Sequence, residues 1–138
     1  MYTKKMVPSM KFLYVIIFSN LFPLFSVKAQ DYSEQKEITK KVIGYFKSGQ
    51  FSEIHELFDD RMKTAITTER LNEIWKNLPL QCGEYIEDGE AIASEVQGLV
   101  VVNHLLDFEN IDLDLRLAFN PENQVSGLFF VPPIKKKN

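Results

Sequence analysis

His104 is the side chain of this 138-residue chain that best suits acid–base chemistry. The apolar pattern places it on the apolar face of a predicted β-strand, opposite Leu115, where helices must pack. An imidazole in that position can act as a general base near neutral pH. It can equally be a core histidine that bonds a backbone carbonyl or a buried water. The sequence leaves both interpretations open.

A catalytic imidazole needs a hydrogen-bond donor beside it and a group that orients or tunes it. Tyr85 and Tyr45 are the candidate donors, so Tyr85 and His104 are weak candidate catalytic residues. The carboxylates Asp112 and Asp114 alternate with the apolar residues of their strand and therefore point away from His104. We assign no catalytic residue from the sequence and favour binding over catalysis.

Four residues are predicted to line a ligand site on the apolar face: His104, Trp75, Tyr45 and Phe129. Trp75 lies in the middle of an apolar helical stripe, so a large core anchor is the alternative interpretation of its role. The ligand is expected to be a small apolar molecule or a peptide. No cofactor is expected.

The other reactive side chains are given structural interpretations. Cys82 is the only cysteine and stands before a glycine at a strand start, so it is predicted to be a small hydrophobic residue rather than a nucleophile. His55 lies beside acids on a short helix and is predicted to be a solvated edge residue. Asp107 and Asp112 with Glu109 form an acidic hairpin end without the ordered spacing of oxygen ligands, so no metal site is predicted.

Residues 1–29 have the three-part layout of a secretory signal peptide. A lysine-containing start leads into an apolar stretch over 12–25 and a small-residue cleavage site that ends at Ala29. Asn20 and Pro23 interrupt the apolar stretch, which is short for a membrane span, although an uncleaved anchor is the alternative. We expect a periplasmic or secreted product with no membrane association after cleavage.

The rest of the chain is acidic. Because four of the 16 basic residues lie in the leader, 12 basic residues stand against 19 acidic ones after Gln30, a net charge of −7. Nucleic acid is therefore not expected as a partner. We place a single domain at 31–134, followed by a basic tail at 135–138. With Cys82 alone, that domain has no internal disulfide and depends on packing for its stability.

The first half of the domain has helical periodicity and predicts three helices. The first helix is predicted over 32–48 and opens with a capping box of Asp31 and Glu34. The second is short, begins near Ser52, and its apolar side continues through a turn. The third runs from the cap Thr67 to Pro79. A glycine after Ser48 ends the first helix.

The second half has strand periodicity, and its turns fix the register. Strands are predicted at 84–96, with a bulge or turn at Gly89, and at 99–108, 111–119 and 124–132. Tight turns at 97–98, 109–110 and 121–123 set Leu115 opposite both His104 and Phe129 on the face toward the helices, here called the inner face. The opposite or outer face then carries four apolar residues predicted to form an interface: Val101, Leu105, Leu128 and Phe130.

Several short motifs carry a family resemblance. They are the Gly49-Gln50-Phe51 turn, Phe58-Asp59, Met62-Lys63, the helix Leu71-Asn72-Glu73-Ile74-Trp75, Gly83-Glu84-Tyr85 and the closing stretch 125–132. The chain resembles an uncharacterised bacterial domain-of-unknown-function family of the nuclear-transport-factor-two and ketosteroid-isomerase superfamily, whose cone-shaped fold is also called cystatin-like. The resemblance implies an α+β fold, three N-terminal helices packed on a curved four-stranded antiparallel sheet.

The resemblance also bears on function. Members of the family are often found ahead of secreted α/β-hydrolase domains, but this chain has no Gly-x-Ser-x-Gly elbow. Enzymatic relatives in the superfamily imply a small lyase or isomerase with His104 as the base, which is the alternative function. The function we favour is a non-catalytic exported module that binds a ligand inside the sheet or pairs through the outer face, as a homodimer or with a protein partner.

Cleavage after Ala29 is the first testable prediction. The mature protein should begin at Gln30, because the small residues before that position suit a signal peptidase. Mass spectrometry of the periplasmic fraction of expressing cells measures the mature mass. A full-length mass that is retained in membranes would mean that the leader is an anchor.

Overall fold

The computed structural model describes residues 31–134, and in them helices lead into strands. The elements in chain order are α1 Ser33–Ser48, α2 Phe51–Glu56, α3 Asp60–Ala65, α4 Thr68–Cys82, β1 Tyr85–Val96, β2 Leu99–Phe108, β3 Leu113–Phe119 and β4 Val125–Val131. The strands pair antiparallel in the order β1-β2-β3-β4. The predicted α+β class is confirmed, with one helix more than expected. The predicted leader at 1–29 and basic tail at 135–138 lie outside the described residues.

Helix α1 ends where the sequence indicated but begins differently. Gly49 adopts a left-handed conformation, with φ at 74°, and the amide of Gln50 donates to the carbonyl of Tyr45 at 2.8 Å. The N-cap position belongs to Tyr32, whose side chain makes no capping hydrogen bond. The predicted capping box of Asp31 and Glu34 is therefore wrong, because the helix starts one residue later than that box requires.

Two side-chain caps set the starts of the later helices. Asp59 accepts a hydrogen bond from the amide of Met62 at 2.8 Å, so the segment predicted as a turn is the separate helix α3. Thr67 caps α4 as predicted. Helix α4 does not end at Pro79, since a proline removes only its own donor and the carbonyl of Pro79 still accepts from the amide of Gly83 at 3.0 Å.

The pairing of β2 with β3 follows the predicted register. His104 lies opposite Leu115, and Val102 lies opposite Leu117. Both leucines and Val102 are fully buried and share one core with apolar residues of all the helices, among them Val42, Phe46, Ile54, Met62 and Leu71. The helices therefore pack on the inner face of the sheet, and burial of this apolar surface is the main driving force for the fold.

The pairing of β3 with β4 departs from the predicted register after one residue pair. Phe119 lies opposite Val125 as expected, but a bulge follows, so Leu117 pairs with Leu128 instead of Gly127. An extra residue in one strand sends every later side chain to the other face.

The faces predicted for three candidate residues are consequently wrong. Leu128 is only 7% exposed in the core, and Phe130 packs against that core on the inner face. Phe129, predicted to lie inside, is 53% exposed on the outer face. Of the four predicted interface residues, only Val101 and Leu105 lie on the outer face, opposite Ala118 and Asp114 respectively.

The β4 bulge is fixed by the segment between α2 and α3. The amide of Val125 donates to the carbonyl of Leu57 at 2.9 Å, and the amide of Asp59 donates to the carbonyl of Val125 at 3.0 Å. Arg61 Nη2 donates to the carbonyl of Ser126 at 2.6 Å. These bonds satisfy the outward-facing backbone groups at the start of an edge strand, which would otherwise be open to pairing.

The connection between β2 and β3 is bound to the end of α4. The amide of Asn110 donates to the carbonyl of Cys82 at 2.8 Å, and β3 begins at Leu113 rather than at Ile111. Gly83, with φ at 85°, leaves no room for a side chain, since a Cβ there would lie 2.8 Å from Glu109 Cβ. The start of β1 is thereby held against the end of β2.

Alanine substitutions at neighbouring positions of β4 test the bulge. Leu128→Ala should lower the free energy of unfolding by about 2 to 5 kcal/mol, because it leaves a cavity in the core. Phe129→Ala should cost about 1 kcal/mol or less, because half of that ring is in water. Urea unfolding of both variants, with Leu115→Ala as the buried reference, measures the order. A larger loss for Phe129→Ala would restore the register without a bulge.

Candidate functional site

The start of β1 contains two bulges that turn a carboxylate to the inner face. Tyr85 pairs with Phe108, Asp88 with Leu106 and Ala91 with His104, and one extra residue of β1 lies within each interval. Tyr85, Asp88 and Ala91 therefore share the inner face although they are three residues apart. In a regular strand, side chains three apart would point to opposite faces. The sequence indicated a bulge or turn at Gly89 but not its consequence for Asp88.

A hydrogen-bonded chain runs along this face from Tyr85 through Asp88 to His104. Tyr85 Oη donates to Asp88 Oδ1 at 3.2 Å, and His104 Nε2 lies 3.0 Å from Asp88 Oδ2. The side chain of His104 is 6% exposed and that of Asp88 27%. The Tyr85–Asp88–His104 chain thus leads from a buried imidazole to a carboxylate that water can reach.

The charges in this chain follow from its hydrogen bonds. Burial raises the pKa of Asp88, but the hydrogen bonds from Tyr85 and His104 lower it by more, so the pKa lies below its ordinary value. Burial, followed by the charge of Asp88, raises the pKa of Tyr85 well above its ordinary value. Asp88 is therefore an anion that only accepts hydrogen bonds, and Tyr85 stays a protonated donor.

The ionised Asp88 also fixes the tautomer of His104. Since Asp88 Oδ2 has no hydrogen to donate, Nε2 of His104 carries the hydrogen of this bond. In the neutral ring the lone pair then belongs to Nδ1. That atom is buried and has no hydrogen-bond partner among the residues that the structure describes.

Aromatic rings surround the Tyr85 end of the chain. The indole of Trp75 stacks on Phe46, with centroids 5.1 Å apart and planes at 22°. The Trp75 and Tyr85 rings are 5.9 Å apart, and Phe46 and Phe130 meet edge to face at 5.7 Å. We call these rings, together with Phe108, the aromatic cluster. It joins the core at Phe46 to half-buried rings at Trp75, Tyr85 and Phe130.

The structure brings together some of the predicted site residues and separates others. His104, Trp75 and Tyr85 belong to one connected set through Asp88, which the sequence analysis missed. Tyr45 is half-buried against the core on α1. Phe129 lies on the outer face and cannot contribute to an inner site.

Two side chains that were given structural interpretations have different outcomes. His55 is not a solvated edge residue, because it is half-buried and its Nε2 lies 3.0 Å from the carbonyl of Lys63. Cys82 is buried, and burial raises the pKa of its thiol, as expected of a small core residue.

The outer face carries the carboxylate that was predicted to point away from His104. Asp114 is 3% exposed and accepts hydrogen bonds from Asn103 Nδ2 at 3.2 Å and from the amide of Ile134 at 3.0 Å. These bonds fasten the segment after β4 across the outer face. Asp114 is therefore a structural residue that cannot orient His104.

An open depression of about 340 Å³ lies between helices, lined by Gly49, Phe51, Ser52, Thr68, Glu69 and Asn72. Residues 31–134 contain no group of three or more His, Cys, Asp or Glu side chains placed to hold a metal ion. Within the same residues, no helix has both the length and the apolar character that a membrane span requires.

Comparison with known protein families gives a match over most of the described residues. The sequence model of a family described as "Protein of unknown function (DUF3887)" matches residues 39–128. This range includes Tyr85, Asp88, His104 and most of the aromatic cluster. No curated protein and no solved structure matches the chain.

Acid unfolding tests the charge state of Asp88. Its pKa is lowered in the folded protein, so its stabilisation is fully present above the ordinary carboxylate pKa near 4 and is lost as the pH falls through the lower folded value. Between about pH 5 and pH 2, the wild type should lose more unfolding free energy than Asp88→Asn, as measured in urea.

Glu87→Gln is the matched control, since Glu87 is an exposed carboxylate of the same strand. It should retain the acid sensitivity of the wild type. Equal losses for the wild type and Asp88→Asn would contradict an ionised, hydrogen-bonded Asp88.

Proposed function

The chain belongs to the DUF3887 family, and we propose that this member is a non-catalytic domain that binds a small, largely apolar molecule on its inner face. The ligand lies against the aromatic cluster and forms one polar contact, with His104. The observation that carries the proposal is the buried Nδ1 of His104, which has no partner among the described residues.

A buried acceptor without a hydrogen bond lowers the stability of the folded protein. Leaving a buried polar group without its hydrogen bond costs about 1 to 3 kcal/mol. The ring of His104 cannot turn Nδ1 toward Asp88 without giving up the bond of Nε2. A donor from outside the chain would remove the cost. Ligand sites commonly have this composition, with apolar and aromatic walls and few fixed polar groups.

Catalysis by the same residues is the second candidate function. Asp88 bonded to His104 is the arrangement that orients a general base, which favours a small lyase or isomerase. Such reactions also need a proton donor for the developing oxyanion or the leaving group. Tyr85 suits that role poorly, because its hydroxyl already donates to Asp88 and its raised pKa makes it a weak acid. Binding is therefore the better-supported function.

Association through the outer face is supported less well than it was by the sequence. Two of the four residues expected there, Leu128 and Phe130, lie in or against the core. Val101 and Leu105 are half-buried within the domain, and Phe129 supplies an exposed ring. A homodimer or a protein partner on this face is secondary to the ligand site in our proposal.

In our proposal, the protein acts after export from the cytoplasm. The leader pattern over 1–29 supports a periplasmic or secreted protein. The order of helices and strands supports a place for the family in the nuclear-transport-factor-two superfamily. A genetic or physical link to secreted α/β-hydrolases would then supply the ligand class, since such enzymes release small molecules.

Binding is tested on ¹⁵N-labelled protein with phenol and with anisole as flat probes at millimolar concentration. Saturable shifts of amide signals should be centred on Tyr85, Asp88 and Trp75. Saturation by either probe at these residues supports the proposal. Shifts confined to the outer face, or no saturable shift with either probe, would contradict it.

Catalysis is tested separately by the exchange of hydrogen for deuterium beside the carbonyl of 2-tetralone in heavy water, followed by proton NMR. The proposal predicts exchange at the buffer rate. A general base of the second candidate function would accelerate it on the order of 10²-fold or more, and His104→Gln would abolish the acceleration. That outcome would replace binding with catalysis as the function.

A further inference from the structure

We infer that the ligand of the inner face is a neutral molecule with a flat ring and a hydroxyl or N–H donor, and that the site discriminates against carboxylates and other anions. This inference rests on the proposed binding function and adds the chemical class of the ligand. It follows from which atoms of the Tyr85–Asp88–His104 chain already have hydrogen-bond partners.

The polar end of the site is an acceptor. Both oxygens of Asp88 are engaged, one by Tyr85 and the other by His104. The polar atom of this hydrogen-bonded chain that has no partner among the described residues is Nδ1 of His104, which bears a lone pair when the ring is neutral. A ligand must therefore offer a hydrogen. An ether or a ketone of the same shape would leave two acceptors facing each other.

An anion meets a further penalty in this site. The charge of Asp88 lies one imidazole ring away from Nδ1, and that ring is buried, so water screens the repulsion between Asp88 and an anion at Nδ1 only partly. Lys47 is a cation at the outer end of the chain, where its Nζ lies over the Tyr85 ring, 5.4 Å from the centroid. A carboxylate at Nδ1 of the neutral ring would face a lone pair instead of a donor.

The aromatic cluster argues for a flat ligand. Trp75 and Tyr85 are half-buried, so part of each ring remains open to a further contact. Rings stack on such surfaces with centroids about 4.5 to 7 Å apart, as Trp75 does on Phe46. A ring that carries one hydroxyl or N–H group can contact the aromatic cluster and also donate a hydrogen bond to Nδ1 of His104.

The test compares three probes of similar size: phenol, which has a donor, anisole, which lacks it, and benzoate, which is an anion. Protein labelled with ¹⁵N in the histidine rings is titrated with each at neutral pH. The chain has only two histidines, so His55 is an internal control, and His55→Gln assigns the signals. The dissociation constants and the Nδ1 shift of His104 are read from the same titration, without altering the site.

Phenol should bind about tenfold more tightly than anisole, the factor expected of one neutral hydrogen bond, and benzoate should bind more weakly than both. The Nδ1 signal of His104 should change from a free to a hydrogen-bonded acceptor with phenol and stay unchanged with anisole. The signals of His55 should not move with any probe.

Three results would overturn the inference. Equal binding of phenol and anisole with an unchanged Nδ1 signal would leave binding against the aromatic cluster but would remove the polar contact with His104, and the inference with it. Preferential binding of benzoate would mean that His104 presents a hydrogen instead of a lone pair. Failure of all three probes to bind would remove the proposed function together with the inference.

Discussion

The site depends on the direction in which Asp88 points. A regular strand that placed Tyr85 on the inner face would put Asp88 in water on the other side. The two bulges at the start of β1 bring both side chains to one face, and the carboxylate then meets the imidazole of His104 from the neighbouring strand. Bulges are typical of places where a strand must re-aim a side chain. The rest of the account follows from this single change of direction.

The elements around the bulges hold this geometry from both sides. The loop after β2 is bonded to the end of α4, which fixes where β1 begins. Gly89 allows a close approach to Leu105, since a Cβ there would lie 3.0 Å from Leu105 Cδ2. Trp75 from α4 packs beside Tyr85, so the hydroxyl stays in reach of Asp88. A partly buried anion is tolerated because two donors satisfy it, whereas Nδ1 of His104, in the same hydrogen-bonded chain, has no partner among the described residues.

The parts of the fold that the sequence predicts correctly are those where one face alone is apolar. Strand β3 alternates leucine with charged residues, and its pairing with β2 follows from that alternation. Strand β4 contains Leu128-Phe129-Phe130-Val131, which is apolar on both faces, so a shift of one residue leaves the hydropathy pattern unchanged. The site could not be predicted because the sequence around it also lacks an informative pattern. The acids around Gly89 follow no period, so the sequence pattern could not distinguish an inward Asp88 from its solvated neighbours Glu87 and Glu90.

The central claim, that Asp88 points inward and bonds His104, is tested most directly by a double-mutant cycle. The unfolding free energies of the wild type, Asp88→Asn, His104→Gln and the double variant are measured in urea at neutral pH. Our account predicts a coupling energy of about 0.5 to 3 kcal/mol, as expected for two side chains in one hydrogen-bonded network. Additivity of the two single losses to within about 0.5 kcal/mol would mean that the two side chains do not interact, and would contradict the account.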